Sequence, residues 1–341
     1  MDITFYILIS LYNTEQYVTR CVNSILSQKY KIFRVVIVND GSTDNSYSVC
    51  SDLIKNDDRF TIIDQKNKGT LLARERALSE IKNVPRDSDY ILFVDSDDYV
   101  VPEYLETLHN YLSDDNEYDI LAFNFYKETR KKRTVINIFN KTTKLSIEEF
   151  FREIIKNYEM NNIWSKAFRY SLFKKHELKP TYIKIIKGND SYRLLPLVYE
   201  ASKILYINEA LYMYFHNEKG LTNAPKIGAL DSILFVRSEK YKYMKKMNMI
   251  SNKDKNMFFD TYKSSLGFLI YHFWSLENKE KLLTIKEHDC YKEMKKYKKI
   301  TIIKKPYYKI LFLLFDNGYY GLLSLFRACL KNGVKLWSKK T

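Results

Sequence analysis

The chain contains few cysteines, glycines and prolines, with 4 Cys, 9 Gly and 6 Pro among 341 residues. The four cysteines lie far apart and form no C-x-x-C pair, which argues against a zinc site or a disulfide framework and fits a reducing compartment. The low glycine and proline content, with no internal repeat, argues against a low-complexity chain. Because 45% of the residues are apolar, the chain can bury a core large enough for two domains, or for one large domain with an appendage.

Long apolar runs are also missing. No stretch reaches about 18 uninterrupted apolar residues, so the sequence predicts no membrane-spanning helix. The apolar run near the N-terminus is too short for a signal peptide, follows Asp2 and lacks a basic start. We therefore expect a cytoplasmic location.

The net charge of +15 is concentrated in the last third of the chain. Residues 1–225 contain 31 Lys and Arg against 31 Asp and Glu, whereas residues 226–341 contain 25 against 10. This imbalance makes an anionic partner for the C-terminal region a reasonable hypothesis. A basic chain with 29 Tyr could also bind nucleic acid by charge and stacking. The basic excess lies outside the neutral first part and no nucleic-acid-binding motif is present, so we expect no such partner.

Short apolar runs alternate with helical segments through the first hundred residues. The runs predict strands at Ile3–Leu11, Phe33–Val38, Phe60–Ile63 and Tyr90–Val94. The segments between them predict helices over Glu15–Gln28, from Ser46 to about Asn56, and over Thr70–Lys82. Asn13 and Gln16 resemble a capping box at the first helix. The alternation predicts an α/β fold with a mostly parallel sheet flanked by helices.

Polar clusters follow three of the predicted strands. They are Tyr12-Asn13, the segment Asp40–Asp44, and Asp95-Ser96-Asp97-Asp98. Ligands of such sheets bind beyond the carboxyl ends of the strands, so we expect these clusters to form one site.

The carboxylates of the FVDSDD segment allow several interpretations. An EF-hand loop would need glycine at its sixth position, where Val100 stands, and a dinucleotide-binding fold would need a glycine-rich turn after the first strand, which Ser10–Asn13 does not provide. Two interpretations stay open on these residues alone. One is a solvated helix start, where Asp is favoured by capping and by the helix dipole. The other is a D-x-D clamp that holds Mg²⁺ or Mn²⁺ on a nucleotide diphosphate.

The motifs together resemble family 2 glycosyltransferases of the GT-A fold. The likeness covers about residues 3–223 and rests on an ordered set of segments: ISLYNTEQYVTRCVNSILSQ, VVIVNDGSTDNS, KNKGTLLARERAL, YILFVDSDDYV, NIWSKAFRYSLF, KGNDSYRLLPLVYEASKILYINEALYMY and GLTN. The resemblance implies transfer of a sugar, usually from a UDP-sugar, to a hydroxyl group with inversion at the anomeric carbon. It also implies Mn²⁺ or Mg²⁺ as cofactor and a growing surface glycan, commonly lipid-linked, as acceptor.

The resemblance also implies roles for individual residues. The donor-binding set is Ser10, Tyr12, Asp40, Arg74, Asp95 and Ser96. Asp97 corresponds to the metal ligand, with Asp95 and His216 as further candidates. Asp190 stands where the family carries its general base, and Trp164 and Lys166 match a W-x-K element on the acceptor side. These residue types suit the chemistry, because a metal neutralises the departing diphosphate and a carboxylate accepts the proton of the attacking hydroxyl.

Two positions depart from the family pattern. Asn39 precedes Asp40 where an Asp-Asp pair is common, and Asn189 precedes Asp190 where a Glu-Asp pair is usual. Losing the acidic neighbour should remove one influence that raises the pKa of the base. An inactive GT-A-like binding subunit is therefore the alternative function, although the four aspartates at 40, 95, 97 and 190 are all present.

The C-terminal region, residues 226–341, is predicted to be a basic, aromatic-rich helical domain that follows a catalytic domain over residues 1–225. From Tyr319, apolar residues recur at helical spacing and predict an amphipathic helix over about 319–337, with Ser324, Arg327, Lys331 and Lys335 on its polar side. Such a stripe is also typical of a helix that packs in a core or against a second subunit. The basic charge of this region favours peripheral attachment to an anionic membrane surface, on the inner face of the cell membrane.

Overall fold

The computed structural model describes residues 2–113, 117–129, 131–174, 185, 187–216, 227–297 and 306–338, but not the side chains at 306 and 332–338. The chain divides into two compact units, Met1–Asn223 and Ala224–Thr341. The GLTN segment, the predicted domain boundary at 225, and the side chains of Lys335 and Trp337 lie outside the described residues. Within the described part, no helix combines the length and the apolar character needed to cross a membrane.

One sheet forms the centre of the first unit. Its strands are β1 (Phe5–Leu11), β2 (Phe33–Asn39), β3 (Phe60–Asp64), β4 (Tyr90–Asp95), β5 (Tyr99–Val100), β6 (Ile120–Glu128), β7 (Arg133–Ile136), β8 (Thr143–Leu145), β9 (Lys166–Arg169) and β10 (Ile204–Phe215). The main path runs in the order β3-β2-β1-β4-β9-β6-β10-β5, with β7 paired to β6 and β8 paired to β10. The α/β class is thereby confirmed.

The first four strands are parallel and the rest of the sheet is mixed. Parallel pairs join β1 to β2, β1 to β4 and β2 to β3, as the alternation of strands and helices predicts. Strand β9 is antiparallel to both β4 and β6, while β6 and β10 run parallel to each other. The four predicted strands are all present and differ from the expected bounds by one or two residues.

Helices pack around the sheet. They are α1 (Glu15–Leu26), α2 (Ser46–Ile54), α3 (Thr70–Glu80), α4 (Tyr104–Leu112), α5 (Ile147–Lys156), α6 (Ser171–Lys174) and α7 (Asn189–Glu200). The buried stripe of α1 consists of Val18, Cys21, Val22 and Ile25, which face the strands. The sheet thus shares one apolar core with α1, α2 and α4.

The start of α1 differs from the prediction. Thr14 is the N-cap, and no side chain caps the helix, so the capping box of Asn13 and Gln16 is wrong. Asn13 has a positive φ of 50° and its Oδ1 accepts a hydrogen bond of 2.8 Å from the N–H of Thr43. The hydrogen bond from Thr43 in a distant loop thus replaces the predicted local capping hydrogen bond of Asn13.

The second unit is helical. Its helices are α8 (Leu230–Lys246), α9 (Asn252–Phe273), α10 (Lys279–Leu283), α11 (Asp289–Lys295), α12 (Pro306–Asp316) and α13 (Tyr320–Ser338). The predicted amphipathic helix matches α13 within one residue at each end.

Part of the polar side of α13 contacts other residues of the second unit. Arg327 is on the predicted polar side, and its guanidinium donates to the carbonyls of Tyr271 and His272 at the end of α9. Ser324 accepts a 2.9 Å hydrogen bond from the indole N–H of Trp274. Leu322 and Leu325 are exposed. At Ser324 and Arg327 the polar side of α13 therefore faces inward. The last carbonyls of a helix have no partner within that helix, and Arg327 donates to two of them, while Ser324 accepts from the indole of the residue that follows α9.

Gly267 sets the distance between α9 and α12. A Cβ atom at this position would lie 2.6 Å from both the Cβ and the carbonyl oxygen of Tyr308. By contrast, a Cβ at Gly321 of α13 would meet nothing within 4 Å.

We expect Gly267→Ala to destabilise the protein by about 1–3 kcal/mol, because the added methyl group overpacks the helix contact. Gly321→Ala is the matched control, and we expect it to stabilise by about 0.5–1 kcal/mol, because alanine loses less entropy in a helix. Urea unfolding followed by circular dichroism measures both changes. Equal effects of the two substitutions would contradict the close packing of α9 and α12.

Candidate active site

The polar clusters predicted from the sequence lie at one edge of the sheet. Strand pairing places Leu11 opposite Asn39 and Ser10 opposite Asp95. The N–H of Asp40 donates a 2.8 Å hydrogen bond to the carbonyl of Leu11. Tyr12, just beyond β1, is 41% exposed and is available to a ligand. The segments after β1, β2 and β4 therefore line a common site.

Asp40 fixes the loop that precedes α3. Its buried carboxylate accepts three hydrogen bonds of 2.8 Å, from the side-chain amide of Gln65 and from the N–H groups of Lys68 and Gly69. Gly41 has a φ of +71°, and a Cβ atom there would lie 2.8 Å from the backbone nitrogen of Asn67. The close approach of these two loops explains the glycine in this turn. Contact between Asp40 and a nucleotide base stays a prediction.

Asn39 explains one departure from the family pattern. Its side-chain amide donates a 2.5 Å hydrogen bond to the carboxylate of Asp64, at the end of β3. An aspartate at position 39 would face that carboxylate with a like charge, whereas an amide can donate to it.

Arg74 connects two of the predicted site residues. Its guanidinium is 4% exposed and forms ion pairs with Asp95 at 2.5 Å and with Asp190 at 2.7 Å. Burial opposes the charge of Arg74, but these two carboxylates outweigh it, and the pKa of Arg74 is raised. Burial raises the pKa of Asp95, and Asp190 adds to the rise, while Arg74 lowers it. One buried cation thus brings together the end of β4 and the start of α7.

Asp97 differs from Asp95 in the charges around its carboxylate. Burial, followed by the charge of Asp95, raises the pKa of Asp97 to about 6. Among the residues that the structure describes, no Lys or Arg forms an ion pair with it. Arg20 instead donates to the backbone carbonyl of Asp97, at 3.0 Å, and its guanidinium lies 4.2 Å from the ring centre of Tyr99. A carboxylate in this state fits a divalent cation as its partner.

The residues that the structure describes do not by themselves form a complete metal cage. No group of three or more His, Cys, Asp or Glu in the described ranges is arranged to hold a metal ion. The predicted set of Asp95, Asp97 and His216 is therefore not assembled, because Asp95 is paired with Arg74 while His216 continues β10 and donates its backbone N–H to Glu128. A cation on Asp97 would take its remaining ligands from a diphosphate and water, as Mg²⁺ commonly does.

The sequence analysis missed the role of Asp98. Its side chain points into the protein, is 1% exposed, and accepts hydrogen bonds from the hydroxyl of Tyr212 at 2.9 Å and the N–H of Phe215 at 2.7 Å. Burial raises the pKa of Asp98 well above its usual value, and Asp97 and Asp95 add to the rise. The residue type alone gave no signal of this role, since three aspartates share the same turn.

Besides Asp40 and Arg74, three further predicted contact residues are buried in this structure. Ser96 is 4% exposed and accepts a hydrogen bond from the Thr14 hydroxyl at 3.0 Å. Trp164 stacks on the rings of Tyr212 and Tyr214. Lys166 is fully buried and donates to the backbone carbonyl of Asn162 at 2.6 Å.

Contact of Ser96 with a donor, and of Trp164 and Lys166 with an acceptor, stays a prediction. Packing and local hydrogen bonds occupy all three side chains. Burial lowers the pKa of Lys166 to about 7, and the nearby charge of Asp190 opposes this shift. Trp164 and Lys166 thus belong to the wall behind the site.

Comparisons with known proteins identify the family of the chain. Residues 6–179 match the family model described as Glycosyl transferase family 2. The chain is 30% identical over 223 residues to Glycosyltransferase GlyA of Streptococcus pneumoniae serotype 4, and 28% identical over 233 residues to the glycosyltransferase EpsJ of Bacillus subtilis. The matches cover 61% and 67% of this chain but 30% and 65% of the relatives' own lengths.

Solved structures show the same fold. TarS 1–349 of S. aureus in complex with UDP-GlcNAc has a TM-score of 0.71 and 17% identity, and the match covers 97% of this chain and 92% of that chain. The mannosyltransferase PcManGT of Pyrobaculum calidifontis, in complex with GDP-Man and Mn²⁺, has a TM-score of 0.50 and 14% identity, with coverage of 87% and 83%. The expected GT-A fold is confirmed, and the family match across half of the sequence shows that the chain belongs to glycosyl transferase family 2.

Proposed function

We propose that the protein is an inverting, metal-dependent glycosyltransferase that moves a sugar from a nucleotide sugar, with UDP as the nucleotide, to a hydroxyl group. The observation that carries the proposal is the pairing of Arg74 with both Asp95 and Asp190. Asp95 belongs to the turn proposed to bind the donor, and Asp190 is the proposed base. The pairing brings these two groups to one edge of the sheet, where donor and acceptor would have to meet.

The donor side of the site is formed by Tyr12, Asp40 and the Asp95–Asp98 turn. Tyr12 offers an exposed ring for stacking on a base. The loop at Lys68 and Gly69, whose N–H groups donate to Asp40, borders the site on the next side. The neighbour TarS binds UDP-GlcNAc, which supports a UDP-sugar as the donor class. Asp97 would hold Mn²⁺ or Mg²⁺, which neutralises the charge of a departing diphosphate when bound.

Asp190 is the proposed general base. Its carboxylate accepts the proton of the acceptor hydroxyl while the oxygen forms a bond to the anomeric carbon. The bond from that carbon to the diphosphate oxygen breaks, and the nucleotide diphosphate leaves with the electron pair. One displacement of this kind inverts the configuration. Arg74 holds the Asp190 carboxylate in place by a charge-assisted hydrogen bond.

We expect a nucleotide sugar with Mn²⁺ to raise the melting temperature of the wild-type protein but not of Asp97→Asn. At a ligand concentration of about 100 Kd, the stabilisation is about 2.7 kcal/mol. A panel of UDP- and GDP-sugars, with Mn²⁺ or EDTA, measures the effect by thermal shift. Stabilisation that persists in EDTA or in Asp97→Asn would contradict metal binding by this residue.

Asp190→Asn should lower kcat by about 10²–10⁴-fold, because the amide cannot accept the proton. We expect the Kd for the donor to stay within a few-fold of the wild-type value, since the amide oxygen can still accept a hydrogen bond from Arg74. Donor turnover and isothermal titration calorimetry measure the two quantities, with the exposed Asp87→Asn as the control. Near-normal transfer by Asp190→Asn would show that another group is the base.

Donor binding without transfer by the wild-type protein would instead support an inactive binding subunit.

The exposed side of α13 supports attachment to a membrane. Leu322 and Leu325 are 57% and 66% exposed, and Tyr319, just before the helix, is 59% exposed. These apolar side chains lie in the part of the chain that carries the positive excess. Anionic lipid attracts each nearby Lys or Arg by about 1 kcal/mol, and exposed apolar groups add burial in the interface. We therefore propose peripheral attachment to the inner face of the cell membrane, with a lipid-linked glycan as acceptor.

Replacing both exposed leucines, Leu322→Ser with Leu325→Ser, should weaken binding to anionic vesicles several-fold. The reason is the loss of about 25 cal/mol for each Å² of apolar surface that would enter the interface. Co-sedimentation with vesicles of anionic and of zwitterionic lipid measures the change. Leu276→Ser is the control, because Leu276 is 89% exposed in the same unit but lies outside α13. Equal binding by the double variant and the control would show that α13 is not the attachment surface.

A further inference from the structure

The hydroxyl of Tyr212 lies directly behind the Asp95–Asp98 turn, and the buried carboxylate of Asp98 points toward it. The hydroxyl of Tyr212, on β10, accepts a hydrogen bond of 3.0 Å from the backbone N–H of Asp95. The same hydroxyl donates a hydrogen bond of 2.9 Å to the carboxylate of Asp98. The two ends of the turn are thus joined through one side chain that lies more than a hundred residues further along the sequence.

The turn is also tied to β10 by its backbone. The N–H of Phe215 donates to the other oxygen of Asp98 at 2.7 Å, and the N–H of Asp98 donates to the carbonyl of Asp95 at 3.0 Å. Strand β5, which follows the turn, pairs with β10 through Tyr212 opposite Val100. Asp97 lies between these fixed points, so the direction of its carboxylate depends on them.

Packing fixes the hydroxyl of Tyr212 in turn. The Tyr212 ring is fully buried and stacks on Trp164, with 4.6 Å between the ring centres and 22° between the planes. Trp164 also stacks on Tyr214, with 5.3 Å between centres and 2° between planes. The ring has no room to turn away, so its hydroxyl is a fixed point rather than a mobile group.

An aspartate buried this deeply is costly unless its hydrogen bonds compensate. Asp98 stands beside two further carboxylates, which increases that cost. Asp98 supplies an acceptor with two oxygens, one for the Tyr212 hydroxyl and one for the Phe215 N–H.

We propose that Asp98 and Tyr212 are positioning residues that fix the Asp95–Asp98 turn in the conformation that binds the metal and the nucleotide diphosphate. This inference rests on the proposed function. Neither side chain touches the donor; both act through the backbone of Asp95 and through the direction of Asp97.

Tyr212→Phe tests the proposal, because it removes the hydroxyl and keeps the ring against Trp164. The matched control is Tyr206→Phe on the same strand. The Tyr206 hydroxyl is also buried, donates to Asn124, and accepts a hydrogen bond of 3.0 Å from the N–H of Ile138, away from the turn. Both variants lose one buried hydroxyl, so both should lose a similar amount of stability.

We expect Tyr212→Phe to raise the Kd for nucleotide sugar with Mn²⁺ about tenfold, the equivalent of one hydrogen bond, and Tyr206→Phe to leave it within about twofold. The KM for the donor and the Mn²⁺ concentration for half-maximal activity should rise in parallel, while kcat at saturating donor and metal changes less. Calorimetry and steady-state kinetics measure these quantities, each at the same interval below the variant's own melting temperature.

Asp98→Asn is the second variant, for use also if Tyr212→Phe does not fold. Asparagine has one acceptor oxygen and can serve only the Tyr212 hydroxyl or the Phe215 N–H, so we expect a similar rise in Kd. Unchanged donor Kd and KM in a folded Tyr212→Phe or Asp98→Asn would overturn the proposal and leave a purely structural role. Failure of the wild-type protein to bind any nucleotide sugar would instead reject the proposed function, so the two failures are distinguishable.

Discussion

The ion pairs of Arg74 are the interaction on which the site depends. Asp95 and Asp190 come from β4 and α7, far apart in sequence, and the Arg74 guanidinium on α3 brings them together. Two carboxylates at one buried edge would repel each other without a cation between them. Removing the cation would leave both charges uncompensated, which is more costly than never having buried them. The pairing of Arg74 therefore couples the geometry of the proposed donor turn to that of the proposed base.

The three aspartates of one turn illustrate how position separates identical residue types. Asp95 is paired with an internal cation, Asp98 is paired with β10, and Asp97 is left between them with a raised pKa. For Asp97, the partner that we propose is a divalent cation. Protein groups thus contact two of the three carboxylates, and the third is the one that we propose to bind the metal.

Sequence patterns predicted the strands well because both faces of a parallel sheet are buried. The run Phe33–Asn39 is apolar almost throughout, and it forms β2 with a shift of one residue at its end. The edge location of Asp40 and Asp95 followed from topology. The capping box at Asn13 and the inward direction of Asp98 did not, because their partners are Thr43 and Tyr212, which are distant in sequence. The burial of Lys166 and the inward side of Arg327 also depend on tertiary neighbours that no local pattern contains.

The direction of strand β9 determines how the other strands of the sheet are oriented. Because it is antiparallel to both β4 and β6, it leaves these two strands pointing the same way, and β10 follows β6. The strands β1 to β4, β6 and β10 therefore all end at one edge, although the sheet is mixed. A strand of opposite direction begins where its neighbours end. Lys166, the first residue of β9, therefore lies near the edge where β4 ends at Asp95. The reversed direction of β9 thus explains why the buried amine of Lys166 is close enough to Asp190 for their charges to interact.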